Sequence, residues 1–198
     1  GVKYILSTGN IDKIDPNANP KNFEIISSPC LSVYKNNDAL PLAYLVNKIK
    51  LVENYNNNSF SNFDPQNTVL LRKVPDEISN KYPINSKLIF LNDNQDLGNV
   101  LITERKNNHI KLEVESNGNN ILVFNDVIYP GWRVFINGEE KELLTTNYTF
   151  KGVYISEGEY EIDFVFDPLP FKVGAISLAL SIILLFISPI LQSKIKYI

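Results

Sequence analysis

The 198-residue sequence contains no methionine, one cysteine and one histidine. A lone Cys30 cannot close a disulfide framework or complete a cysteine-rich zinc module. A lone His109 gives little basis for a histidine-ligated metal or a Ser–His catalytic pair, so neither a metal nor a cofactor is expected. Reading frames open with Met; its absence predicts a processed chain or a piece of something longer. Also missing are a glycine-rich phosphate loop, a GxSxG elbow, an HExxH helix and a CxxC pair, and no catalytic residue is nominated. Acid is absent after Asp167, and only Lys172, Lys194 and Lys196 are basic beyond it. Basic residues total 19 against 22 acidic ones, without a Lys/Arg cluster to neutralise phosphates, which excludes nucleic acid as a partner. At 44% hydrophobic the chain is too apolar for global disorder.

The longest apolar run is what the sequence has in abundance. Residues 173–191 read VGAISLALSIILLFISPIL, with no charge between Lys172 and Lys194. A helix of about 20 such residues rises about 30 Å, the thickness of a bilayer's hydrocarbon core. Ser177, Ser181 and Ser188 do not spoil it, because a helical Ser can bond back to a carbonyl one turn earlier. Pro170 suits the first turn, where a missing N–H costs little, and Pro189 would kink the last turns without preventing a span. The pattern predicts a transmembrane helix over 171–193, with the lipid bilayer as partner. Lys194 and Lys196 outnumber Lys172, so the positive-inside rule puts 194–198 in the cytoplasm and 1–168 outside.

Before the tail, short alternating runs recur between Asn, Gly and Pro turns. Candidate strands are 2–6, 23–27, 31–34, 42–46, 68–72, 100–103, 110–115, 121–124, 132–136, 139–144, 148–155 and 160–166. Ile110, Leu112 and Val114 alternate with Lys111, Glu113 and Glu115; Tyr160, Ile162, Phe164 and Phe166 share one face. The period of two predicts a mainly β fold, an antiparallel, jelly-roll-like β-sandwich followed by one transmembrane helix. Asn137-Gly138 is a two-residue hairpin signal and Glu157-Gly158 a weaker turn. The Asn-rich stretch 54–67 reads as an exposed loop and a candidate subdivision of the 1–168 domain. Glu139-Glu140 and Asp163 with Asp167 read as ordinary solvated charge on strand edges. The triplets at Asn57 and Asn147 have the form of glycosylation sequons, a pattern too short to carry weight.

The densest segment runs from Asn125 to Tyr154. Tyr129-Pro130-Gly131-Trp132 joins a rigid turn to two large amphipathic rings, followed by Arg133. Tyr129, Trp132 and Tyr148 could stack on sugar rings while Asn125, Asp126, Arg133 and Asn147 supply hydrogen bonds; these seven are the candidate glycan-binding residues. The competing reading is that Tyr129, Trp132, Tyr148 and Phe150 plug the end of the sandwich.

The run YPGWRVFINGEE, then NYTFKGVYISEGEYEIDFVFDP, then the final span resembles the C-terminus of bacterial YfhO-type membrane proteins. These end in a YPGW-x-x-x-x-[DN]-G hairpin, an N-x-x-[FL]-[RK]-x-[VI]-x-[VI]-x-x-G-x-[HY] strand pair and a closing helix. Residues 2–6, VKYIL, and the stretch VYKN followed by LPLAY are similar to the family's earlier blocks, with Lys35 and Leu42 replacing its usual Glu and Arg. The resemblance implies a GT-C-type glycosyltransferase parent that moves a sugar from a polyprenyl-phosphate donor onto a cell-envelope glycopolymer. It implies upstream transmembrane helices as partners, and envelope glycan or polyprenyl-linked sugar as ligand. The family's catalytic acid lies far upstream, so this chain is expected to cap the active site or position the acceptor. The alternative is a non-catalytic, membrane-anchored structural or glycan-binding ectodomain.

Overall fold

The computed structural model describes residues 2–8, 10, 19–27, 31–55, 59–60, 63–82 and 87–195. Among them the strands are β1 Tyr4–Ser7, β2 Phe23–Ser27, β3 Ser32–Asn36, β4 Ala43–Val46, β5 Lys48–Leu51, β6 Thr68–Leu71, β7 Leu88–Phe90 and β8 Gly98–Arg105. They continue with β9 His109–Ser116, β10 Asn120–Val127, β11 Trp132–Ile136, β12 Glu139–Lys141, β13 Leu144–Thr146, β14 Phe150–Ile155 and β15 Gly158–Phe166. The helix α1, Leu169–Ile195, closes the chain.

A five-stranded sheet, ordered β12-β11-β15-β9-β8, faces a four-stranded sheet, β13-β14-β10-β4. The chain crosses between them repeatedly, from β9 to β10 to β11 and from β14 to β15, as in a jelly roll. Between the sheets lie Ile110, Leu112, Val114, Val134, Ile136, Ile162 and Phe164 from one side. Ala43, Leu45, Leu122, Phe124, Val153 and Ile155 meet them from the other. The alternation read in β9 thus points as expected, apolar residues inward and Lys111, Glu113 and Glu115 away from the core.

A third layer explains where alternation fails. The sheet β6-β5-β7 packs on the outer face of the four-stranded sheet, and Val46, Ile121, Val123 and Leu144 meet Ile49, Val69, Leu71 and Ile89 there. Strand β10 is therefore buried on both faces, and Ile121, Leu122, Val123 and Phe124 are all fully buried. Each such side chain contributes about 1.5–3 kcal/mol of apolar burial, so a continuous apolar run belongs in a middle layer. A separate sheet, β1-β3-β2, is formed by the first strands.

Several expectations need correction at this level. Residues 139–144 do not form one strand: β12 pairs with β11 in the five-stranded sheet, whereas β13 pairs with β14 in the middle one. Strands β5 and β7 were not expected; β5 carries Lys48 and Lys50, and β7 is three residues long. β5 pairs in parallel with β6, so the Asn-rich stretch between them is a crossover connection. Within it Ser59 is buried and its hydroxyl donates to the Asn54 carbonyl at 2.9 Å. Residues 56–58 and 61–62, with most of the first sequon, lie outside the described residues, as does Cys30. The Asn137-Gly138 hairpin forms as expected, with φ of 50° and 82° at its two central residues.

Helix α1 is long and apolar enough over Leu169–Ile187 to cross a membrane, and none of that stretch is buried against the rest of the chain. Its 19 residues rise about 29 Å at ~1.5 Å each. The Ser181 hydroxyl donates to the Ser177 carbonyl at 2.8 Å, which is how a serine is satisfied in a lipid-facing helix.

Candidate functional site

The segment 125–154 threads both sheets of the sandwich, and its Tyr129–Trp132 turn lies at the end from which α1 departs. Tyr129-Pro130-Gly131-Trp132 is a tight turn closed by the Trp132 N–H on the Tyr129 carbonyl at 3.2 Å. Pro130 presets the second position and Gly131, at φ +111°, fills the third, which requires positive φ. The Asp167 N–H donates to the Gly131 carbonyl at 2.7 Å. A Cβ on Gly131 would lie 3.0 Å from Pro168 and 3.1 Å from the Phe166 ring. The turn is thus clasped to the junction between β15 and α1.

Period two in β11 sends Trp132 inward with Val134 and Ile136, and Arg133 outward with Phe135. Trp132 packs on Phe166, ring centroids 5.4 Å apart, and the Lys151 ammonium sits 3.6 Å from its ring centre. Lys151 is fully buried, donates to Asp126 at 2.7 Å and to the Val127 carbonyl at 3.4 Å, and lies 5.5 Å from the Phe124 ring. Burial lowers its pKa while the Asp126 carboxylate pulls it back up. The tryptophan ring is therefore already engaged within the fold. Sequence reasoning passed over Lys151, although its parity with Val153 and Ile155 marked it as an inward cation needing a partner.

The remaining candidates are distributed. Outward-facing Arg133 makes a two-pronged pair with Glu140, with its Nε 2.7 Å from Oε1, and stacks 5.0 Å over Phe135. That contact raises the arginine's pKa and lowers the glutamate's. Asn125 donates to the Pro41 carbonyl at 2.9 Å. Asn147, at φ 49°, accepts the Leu70 N–H on its side-chain oxygen at 2.8 Å and donates its own N–H to the Leu70 carbonyl at 3.0 Å. It is buried, so the second sequon's amide already serves to join β13 to β6. The Tyr44 hydroxyl lies by the Asn125 and Asn147 amides without good hydrogen-bond geometry, and burial pushes its pKa up to about 12. Tyr148, at φ 81°, is exposed and meets Tyr55 edge-on at 5.2 Å, with Phe60 stacked beyond at 6.4 Å. The structure thus unites Tyr129, Trp132 and Asp126, sets Tyr148 across the Ile128–Thr149 backbone bond from Tyr129, places Asn125 and Asn147 around Tyr44, and turns Arg133 to the outer face.

The acidic residues read as plain solvated charge have specific partners. Asp163 lies 2.6 Å from His109 Nε2 on the central strand β15, and Asp167 takes Lys172 at 2.6 Å. Among the described residues no group of three or more His, Cys, Asp or Glu is arranged to hold a metal ion. A second polar feature is a cleft of about 420 Å³ lined by Asn47, Lys48, Phe90, Asn92, Asp93 and Gln95 among others. Its amides are largely spoken for: Asn47 donates to the Asn92 carbonyl at 3.1 Å and Asn92 to the Asn119 carbonyl at 2.6 Å.

Neither a curated protein nor a solved structure matched the chain. The family model described as bacterial membrane protein YfhO matches residues 90–177. That stretch holds the whole five-stranded sheet, the YPGW turn, the Lys151–Asp126 pair beneath it and the first turns of α1. Residues 90–177 are thus similar to bacterial membrane protein YfhO, consistent with a YfhO-type C-terminal region, and α1 is long and apolar enough to cross a membrane.

Proposed function

We propose that this chain is the accessory β-domain and last helix of a membrane glycosyltransferase that moves a sugar from a polyprenyl-phosphate donor to an envelope glycopolymer. Its part is to cap the active site or position the acceptor, with residues 1–168 outside the cytoplasm and the C-terminus inside. The observation that supports this reading is the clasp between the YPGW turn and the start of α1. It ties the sandwich to the end of a membrane-length helix, at the level where a lipid-linked sugar is presented. Of the seven candidate residues, Tyr129, Tyr148, Arg133 and Asp126 have surface to offer a glycan, whereas Trp132 supports them from within.

The test is made in the full-length parent protein in vesicles. Tyr129→Ala with Tyr148→Ala is expected to raise KM for the acceptor several-fold while kcat changes little, since the transferring residues lie elsewhere. The soluble glycan fragment of the acceptor, titrated calorimetrically, should bind the parent and lose affinity in the variant. Transfer at full rate by a folded variant would overturn acceptor positioning. Glycan binding without any transfer by the parent would establish the alternative, a non-catalytic anchored ectodomain. Protease digestion of intact and broken spheroplasts reads the sidedness: cleavage of 1–168 only after breakage overturns the outside assignment.

A further inference from the structure

Strand register identifies one end of the sandwich with the departure point of α1. There β15 ends at Phe166 opposite Trp132, β9 begins at His109 opposite Val165, and β8 ends at Arg105 opposite Ile110. The middle sheet reaches the same end, because β10 finishes at Val127 opposite Phe150 and the Lys151 ammonium touches Trp132 across the core. This end carries exposed apolar and amphipathic side chains, with the exposed Lys106 of the β8–β9 turn beside them. Val127 is 56%, Tyr129 65% and Tyr148 63% exposed. Tyr129 and Tyr148 flank a single backbone bond, the Ile128 N–H on the Thr149 carbonyl at 2.7 Å. Leu169 and Phe171 continue the apolar surface directly into the helix.

The opposite end is acidic: Glu115 faces Glu159 there across β9 and β15, and further in Glu113 faces Glu161, which also pairs with Lys111 at 2.7 Å. Glu159 lies seven residues along β15 from Phe166, about 23 Å at ~3.3 Å per residue. Like charges opposed on a sheet repel and keep their water, so this end belongs in solvent.

We propose that the helix-bearing end of the sandwich is itself a lipid-contact surface, seated in the headgroup layer of the bilayer that α1 crosses, with Tyr129 and Tyr148 as its interfacial anchors. Tyrosine suits that layer because its ring is apolar and its hydroxyl remains hydrated. The occupant follows from continuity: the clasp from Gly131 to Asp167 places the Tyr129 turn beside the first residues of an apolar helix that, among the described residues, nothing covers. A freely tethered domain would need no such clasp and would gain nothing from grouping its exposed tyrosines at that end. The inference holds whether or not the parent protein transfers sugar.

The experiment uses the full chain in phosphatidylcholine vesicles, with nitroxide labels on Tyr129→Cys, Tyr148→Cys and, at the acidic end, Glu159→Cys, each combined with Cys30→Ser. Collision with dissolved oxygen and with a water-soluble nickel chelate is read by electron paramagnetic resonance. Labels at both tyrosines are expected to show several-fold less nickel contact and more oxygen contact than the label at Glu159. Nickel contact at either tyrosine equal to that at Glu159 overturns the proposal. Val127→Cys replaces any tyrosine variant that loses the strand signature in circular dichroism.

Discussion

The most consequential residue of the site is a lysine with no exposed surface. Lys151 pairs with Asp126, whose side chain is 42% exposed, so the pair is buried on one side and wet on the other. Removing the carboxylate leaves an ammonium with only the Trp132 and Phe124 rings and one carbonyl. Asp126→Asn is therefore expected to cost about 2–3 kcal/mol, somewhat under the usual penalty for breaking a buried pair because Asp126 is partly screened. Lys151→Met, which removes the buried charge and keeps the volume, should be neutral or stabilising. Thermal unfolding of both variants checks the contrast, and equal destabilisation would contradict the reading. The residue was legible in part: its parity put it inward, but a partner twenty-five positions earlier is a tertiary fact. The same limit applies to Asn125 and Asn147, whose side chains looked free in sequence and serve the fold instead.

Among the elements, the YPGW turn matters through what it grips. Gly131 has a backbone that L side chains rarely adopt and stands against Pro168 and Phe166. Gly131→Ala is expected to destabilise by about 2–3 kcal/mol, combining left-handed strain with the close approach, and to loosen the junction with α1. Hydrogen exchange at the Asp167 amide should quicken markedly in the variant; unchanged protection there would show that the clasp does not depend on the turn. The turn itself was evident from Pro-Gly, since those two residues impose its φ angles. Its grip on Asp167 was not, because a hydrogen bond spanning thirty-six residues leaves no local pattern. Strands β5 and β7 escaped notice for a similar reason: Ile49 and Ile89 each supply one buried residue to a second core, too few to make an alternation.

At the scale of the molecule, the second core carries a pH limit. Tyr44 and Tyr154 pack against it and Tyr55 lies over β6, and burial is the leading cause that raises all three phenol pKa values, Tyr44 to about 12. Because the folded values lie above the unfolded one near 10, the stability these groups contribute is whole below about pH 10 and is lost as pH rises toward 12. The strand signal should therefore fall in that alkaline window, with phenolate absorbance appearing as it falls. Tyr44→Phe should move the midpoint upward, since it also removes a hydroxyl without a well-formed hydrogen bond. A midpoint unmoved by Tyr44→Phe would exclude that tyrosine as a determinant.

The sequence by itself determined most of the strands, the Asn-Gly hairpin, the membrane-length helix and the resemblance at the YPGW block. Each rests on local physics: period two, positive φ at fixed positions, and about 20 uncharged residues per bilayer crossing. Only the tertiary structure decided that the described residues form two cores instead of one, because a central sheet is defined by what packs on its second face. It also decided that the seven candidate residues divide, with Trp132 covered by Lys151 and Phe166 while Tyr129 and Tyr148 stay exposed at the helix-bearing end. Alternation says which way a side chain points within its own strand; what meets it there is supplied by strands far away in the chain.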